Sequence, residues 1–408
     1  MKKINNLNLI ICIVLISLAD EINIDNYFPS VPHMAKSFGI SISDIQLGFS
    51  FFQVFVALGT FIFGILAMYY SHRKLSLLAV FITIISLLLV PVFPNVYFFW
   101  LMRSVTGFAL GGAITVSVII MTEHFTGNTL AKVSSFMMMA LALMPAISPL
   151  IGGIIEQSTH IWQLNFIIPA IICVLSFIYI YFLLPENKKE MVSKSDEKLS
   201  LTIILKDYFT PLTDRSMFFV LSSIFGLGWV YFIMTISPEL YQVHFGLTPY
   251  QYGNISLLSG VIFLISSFIN ALLVERLGMK KITISGIIIA FIALMIGLFY
   301  YHSNMIDLIV ILSGFLLGLS FVRINLFAVA QSFYQKKKGN MASIYLLLAF
   351  LFAPIFSYLA AFYQFKNIVA LYEIAFLFMA FIAGTFFIGL LWMRKSKIIM
   401  INQRQTEA

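Results

Sequence analysis

The chain has 408 residues, 61% of them hydrophobic, 16% aromatic and only 10% charged, with a formal net charge of +8 and a mean hydropathy of +0.98. A soluble domain is nearer half apolar and a quarter charged, so the composition excludes one and describes an integral membrane protein. Continuous apolar runs, in place of ten-residue alternating segments, select helices over a barrel.

The first run holds the main anomaly. Residues 8–32 read NLIICIVLISLADEINIDNYFPSVP, a stretch long enough to cross a bilayer that carries Asp20, Glu21 and Asp25 in its second half. A charged carboxylate at the centre of a spanning helix costs about 2.5–3.5 kcal/mol on insertion scales. The three are tolerable only if they face a wet cavity, pair with a cation or spend time protonated. Lys2 and Lys3 precede the run as they would a signal peptide, but no small-residue cleavage site follows and the acids would spoil an apolar core, so the segment reads as a retained span.

Apolar runs of spanning length fall at 7–29, 44–69, 75–94, 96–121, 130–155 and 162–184. After a polar stretch at 185–215, six more lie at 216–240, 250–274, 281–301, 305–333, 341–364 and 368–393. This gives an N-terminal half of six spans (1–184), a linker (185–215), a C-terminal half of six spans (216–393) and a tail (394–408). With the N-terminus placed in the cytoplasm, all but four of the 25 lysines and arginines fall in cytoplasmic segments. The exceptions are Lys36 and Lys366, on the other side, and Arg103 and Arg323, inside spans. The positive-inside rule therefore places both termini in the cytoplasm. It also accounts for the net charge without nucleic acid.

Cys12 and Cys173 both lie in apolar runs and suggest neither a disulfide framework nor a metal site. No phosphate-binding glycine loop is present, so ATP is not expected as a ligand. No nucleophile–base set argues for an enzyme. The two halves repeat weakly: ALMPAISPLIGG (142–153) parallels AFLFAPIFSYLAA (349–361), aligning Pro145 with Pro354 and Ser148 with Ser357. Many secondary transporters are built as such a six-plus-six repeat, with a substrate site near mid-membrane between the halves.

At 100° per residue the three acids of the first span occupy an arc of about 140°. Ser17, Glu21 and Asp25 form one stripe, flanked by Asn23 and Tyr27, with Leu18, Ala19 and Ile22 on an opposite, lipid-tolerant face. By helical rise Arg103 lies about 10 Å, Glu21 about 12 Å and Asp25 about 5 Å below the outer boundary. A pair between the first and fourth spans is therefore geometrically available, with Arg103 as counter-charge. The competing reading makes Asp25 interfacial and leaves one acid merely holding an arginine. Arg323, near Asn325 and two-thirds along the tenth span, either contacts an anionic or hydrogen-bonding substrate or snorkels to the inner interface. Gln53, Tyr231, Thr235 and Asn270 are candidate cavity-lining groups, although single polar residues in bundles more often bond helix to helix. Glu156, Glu239 and Glu373 read as interfacial.

The stretches IDNYFPSVP (24–32), LMRSVTGFALGG (101–112), PAISPLIGG (145–153), SPELYQVHFGLTPYQYG (237–253), VERLGMKK (274–281) and FVRINLF (321–327) come in an order and spacing that resembles the major facilitator superfamily. More narrowly, the chain is similar to its twelve-span drug:proton antiporters of the bicyclomycin-resistance and MdfA multidrug type. The resemblance implies an all-α membrane fold of twelve transmembrane helices in two pseudo-symmetric six-helix halves. It implies a monomer in the bacterial inner membrane that exports amphipathic small molecules or drugs against protons. The gradient is the driving force, with no ATP, cofactor, metal or nucleic acid.

It also assigns Asp25 to the family's recurrent first-span acid. Ser17 stands where MdfA-type proteins carry an earlier acid, and Asp20 and Glu21, one turn on, are placed to substitute for it. The antiporter motif survives as Pro145, Pro149, Gly152 and Gly153, read as a kinked, closely packed hinge, with Ser148 in place of the expected glycine. In the loop after the second span Gly64, Leu66, Arg73 and Lys74 remain, while Met68 and Ser71 replace the family's Asp and second Gly. The copy after the eighth span keeps Glu275, Arg276 and Gly278 as gating residues. A dedicated metabolite or siderophore exporter, or a proton symporter for uptake, fits the same features. A non-transporting sensor or scaffold would have no reason to bear the cost of intramembrane charges.

Overall fold

The computed structural model describes residues 6–125, 127–184, 217–299, 304–332, 338–363 and 367–406. Among them the backbone is helix and connecting turn, with no strand. The N-terminal half runs α1 (Asn6–Asp25), a 3-10 turn (Phe28–Ser30), the short α2 (Val31–Phe38), α3 (Ile42–Tyr69), α4 (His72–Leu89), α5 (Val96–His124), α6 (Gly127–Thr159) and α7 (Leu164–Leu183). The C-terminal half runs α8 (Met217–Pro238), a π-type turn (Glu239–His244), α9 (Pro249–Leu277), α10 (Met279–Phe299), α11 (Met305–Ser332), α12 (Lys338–Tyr363) and α13 (Ile368–Thr406).

Nine of these helices are apolar and long enough to cross a bilayer over their described residues: α3, α4, α5, α7, α8, α9, α10, α11 and α13. With α1, α6 and α12 the long helices number twelve. Their outer faces carry large exposed hydrophobics such as Phe61, Phe268, Phe299 and Leu391, each more than half exposed. Water would not tolerate that surface, and lipid requires it.

Local sequence explains where the helices begin and end. The first apolar run was expected to continue to residue 29, yet α1 stops at Asp25. Pro29 and Pro32 offer no N–H to a continuing helix, so the chain turns and restarts as α2, which ends at Gly39 in the left-handed region, φ 69°. Ser41 opens α3 with a capping box: its Oγ accepts from the Asp44 N–H at 3.2 Å, and its own N–H donates to Asp44 Oδ2 at 3.1 Å. Asn95 opens α5 by accepting from the Tyr97 and Phe98 N–H groups. At the other terminus α13 continues to Thr406, through residues read from the sequence as a tail. RKSKIIMINQRQT contains no Gly or Pro to stop it.

By contacts the chain forms two compact units. The first comprises Met1–Ser195, Ile233–Val261 and Ala353–Gln364; the second comprises Asp196–Phe232, Ile262–Phe352 and Phe365–Ala408. Inside the first, α1 is surrounded by α4, α5, α6 and α7. Leu9, Cys12, Ile13, Ile16 and Ile22 are all buried on it. Ile22, expected on a lipid-tolerant face with Leu18 and Ala19, is thus buried; the side chains of the other two lie outside the described residues. α3 and α5 pack closest, because glycine lets the backbones touch. A Cβ at Gly107 would overlap the Phe52 carbonyl.

Candidate functional site

Arg103 sits one turn before Gly107 on α5, at 0% exposure. The same close seam brings Phe52 of α3 beneath it. Its guanidinium lies 4.3 Å from the Phe52 ring centroid and 4.7 Å from that of Tyr27. Its nitrogens point at the end of α1: Nη1 donates to the Asn23 carbonyl at 3.0 Å and Nη2 to the Ile24 carbonyl at 3.3 Å. The last carbonyls of a helix have no intrahelical partner and carry the negative end of its dipole. Arg103 thus caps α1 with a full positive charge. Ser148 of α6 completes the cap by donating to the Ile22 carbonyl at 2.7 Å. Each charge-assisted bond contributes about 1.5–3 kcal/mol, and each desolvated ring face about 2 kcal/mol, which is what makes a buried cation tolerable.

Asp25 is the last residue of α1 and is 1% exposed. Its Oδ1 has no hydrogen-bond partner. Among the described residues no ion pair within 4.0 Å joins it to Arg103. The arginine reaches the acid's helix, but the bonds it makes there, through Nη1 and Nη2, go to the backbone. A carboxyl in that position is close to a permanent cation without being bonded to it. In general burial favours the neutral form of a carboxyl and a nearby cation the charged form. The side chains of Ser17, Asp20 and Glu21 lie outside the described residues.

Beyond Asp25 the turn is fixed by a polar network that the sequence did not reveal. Asn26 Nδ2 donates to the Asn165 carbonyl at 2.9 Å and to Asn165 Oδ1 at 3.1 Å. Asn165 Nδ2 donates to Ser30 Oγ at 2.6 Å, and Ser30 Oγ donates to Glu156 Oε2 at 2.6 Å. Glu156, expected at an interface, is instead buried. The partners are more than 120 residues apart in sequence, and no local spacing points to them. Gly152 of α6 lies directly against the Asn26 carbonyl, where any Cβ would collide. α6 runs unbroken through Pro145 and Pro149, and Gly153 packs against Pro249 at the start of α9.

The other candidates divide between the units. In the first, Gln53 is buried and its Oε1 accepts from Ser357 Oγ at 3.1 Å, so the repeat-related serines Ser148 and Ser357 are both buried donors. Tyr27 is buried among Phe28, Phe99 and Phe166, and Thr235 is buried. In the second, Asn325 Nδ2 donates to Asn270 Oδ1 at 2.6 Å, and Tyr231 is partly exposed. Arg323 is also partly exposed, 5.6 Å from the Phe263 ring centroid, with no carboxylate within 4.0 Å among the described residues.

The family model described as Major Facilitator Superfamily matches residues 9–357. The chain belongs to the Major Facilitator Superfamily. It is a transporter, not an enzyme, and a multi-pass membrane protein with a small-molecule substrate. Its similarity to a bicyclomycin resistance protein homolog of Haemophilus influenzae is 22% identity over 300 residues, 73% of this chain and 74% of the relative. To an uncharacterised MFS-type transporter of Bacillus subtilis it is 23% over 347 residues, 84% and 86% of the two chains. The solved structure of a D-xylose–proton symporter superposes with a TM-score of 0.69 at 14% identity, covering 94% of this chain and 96% of that one; this likeness is of fold.

The superfamily loop after the second span joins α3 to α4 here. Arg73 donates to the Tyr181 carbonyl and lies 5.3 Å from its ring centroid, tying α4 to α7. Next to it, buried His72 places Nδ1 3.1 Å from Glu123 Oε2 at the end of α5. This contact stands in a loop that lacks the Asp expected from the resemblance, and no local spacing in the sequence points to it. In the second-half copy Glu275 and Arg276 are exposed on the last turn of α9, and Gly278 adopts φ 78°, where a Cβ would be strained.

Proposed function

We propose that this chain is a proton-coupled exporter of amphipathic small molecules, drugs among them. It works by alternating access in the cytoplasmic membrane of a bacterium, as a monomer with both termini in the cytoplasm. The proton gradient drives it, and no cofactor or ATP takes part. The observation that carries the reading is Asp25: a buried carboxyl at the end of a spanning helix, with one oxygen unpartnered, beside an arginine bonded to the backbone instead of to it. A purely structural acid would have its oxygens satisfied. Asp25 is placed to bind a proton in exchange for substrate, with Asp20 and Glu21 as further acids on the same helix. The bicyclomycin resistance relative supports a drug-like cargo moving outward.

Uptake by proton symport is the second reading. Arg323, without a carboxylate beside it among the described residues, favours a substrate with an anionic or hydrogen-bonding group. A single experiment separates these possibilities: proton release from detergent-solubilised protein on adding cationic, neutral and anionic compounds, in wild type and Asp25→Asn. The exporter reading expects release on adding a cationic or neutral amphiphile, lost in Asp25→Asn. Proton uptake with an anion favours symport. The absence of any ligand-driven proton change would refute coupling.

A further inference from the structure

Coupling through Asp25 leaves one buried carboxylate among the described residues without a role. Glu156 has both oxygens engaged. Oε2 accepts from Ser30 Oγ at 2.6 Å, and Oε1 lies 2.7 Å from His33 Nδ1. The donors run in one direction, from Asn26 to Asn165 to Ser30 to Glu156, so the carboxylate is the acceptor on which the series ends. One end of this series is the residue after Asp25. The other reaches the protein surface: the His33 side chain is 38% exposed, whereas that of Glu156 is 4%.

We propose that Glu156 and His33 form a second proton-binding site, and that its charge state sets how firmly the turn after Asp25 is held. The proton moves along the 2.7 Å line between the two side chains. With His33 protonated and Glu156 ionised, Nδ1–H donates to Oε1. With the proton on Glu156, Oε1–H donates to neutral Nδ1, and Oε2 becomes the oxygen of an uncharged acid. In that second state the bond from Ser30 loses its charge assistance, which is about half its strength. Loss of the proton to solution leaves a carboxylate beside a neutral imidazole: the bond from Ser30 keeps its charge assistance, and the contact with His33 loses it. Imidazole is the side chain that changes charge between pH 5 and 8, and His33 is the more exposed member of the pair.

Several other titratable or charged groups lie on the elements packed around the pair: Lys36 on α2, Asp44 on α3, His160 at the end of α6, Asp25 at the end of α1, Tyr27 on the turn, and Arg103 on α5. The π-type turn adds Glu239, Tyr241 and His244, and the start of α9 adds Tyr250 and Tyr252. Among the described residues only His33 forms an ion pair with Glu156.

The effect of this site on transport rests on the proton-coupled reading; its protonation does not. The test is hydrogen–deuterium exchange of residues 26–38 in the full chain in detergent, from pH 5.5 to 8 and corrected for intrinsic rates. The proteins are wild type, Glu156→Gln, His33→Gln and His160→Asn. In wild type, protection of the segment should fall about tenfold as the pH rises and the charge-assisted pair is lost. Glu156→Gln and His33→Gln should both be flat, while His160→Asn keeps the wild-type profile. A flat wild type, or an unchanged slope in His33→Gln, overturns the proposal. His33→Gln, at a partly exposed position, carries the test even if Glu156→Gln does not fold. If ligand-driven proton release survives Asp25→Asn while the exchange profile still depends on His33, the coupling reading fails and this site stands. The opposite pair of results rejects this site alone.

Discussion

Truncating Arg103 would strand the carbonyls of Asn23 and Ile24 and empty the space between the Phe52 and Tyr27 rings. Lost charged hydrogen bonds and a buried void together cost about 3–5 kcal/mol. Arg103→Lys keeps the charge, but an ammonium lacks the planar fork that reaches two carbonyls while stacked between rings. Arg103→Ala should therefore unfold well below wild type and Arg103→Lys at an intermediate temperature. Cys12 and Cys173 are both 0% exposed, so the onset of their reaction with a thiol dye reads the transition directly. Equal loss in the two variants would mean that only the fork matters; no loss in either would contradict the capping role. At this scale the sequence showed which span carries the arginine, because hydropathy is local. It did not show that the arginine bonds the backbone of α1 and not Asp25, since that depends on how α1 ends at Asp25.

Elements were legible where chemistry is local: the two sets of six apolar runs, the break at Pro29 and Pro32 in retrospect, and the glycine after α9. The packing of α6 on α1 was only partly so. Pro149, Gly152 and Gly153 marked a close approach, but the surface they approach, the Asn26 carbonyl and the start of α9, lies far away in sequence. Gly152→Ala should force α6 away from the turn, with an overpacking cost of about 3 kcal/mol because the collision is with backbone that cannot rotate aside. Gly64→Ala, on α3, is the control. Its added Cβ would meet only the Thr115 methyl at 3.8 Å, an ordinary contact. It should stay within about 1 kcal/mol of wild type, helped by alanine's better helix propensity. Dye-monitored unfolding of the two variants separates the outcomes, and equal behaviour would show that the α1–α6 contact is not tight.

For the whole molecule, the charge pattern carries a prediction that the packing alone does not make. Twelve long helices among the described residues and the positive-inside pattern together predict that both ends of the chain lie on one side of the membrane, the side that carries most of the lysines and arginines. The two positions best suited to a test are Lys36, exposed on the short α2, and Lys280, exposed on the first turn of α10. Cys12 and Cys173 are buried in α1 and α7, so single cysteines can be introduced without first removing them. In spheroplasts, Lys36→Cys should react with a membrane-impermeant maleimide from outside, and Lys280→Cys only after permeabilisation. Lys36 lies on a short connecting helix and Lys280 on the first turn of a long one, so exchange between inward and outward states should leave their sidedness unchanged. The reverse pattern would invert the whole protein. It would then put Asp25 and the Glu156–His33 pair near the cytoplasmic face, where protons bound from outside could not reach them first, and a proton-driven exporter could not work in the sense proposed.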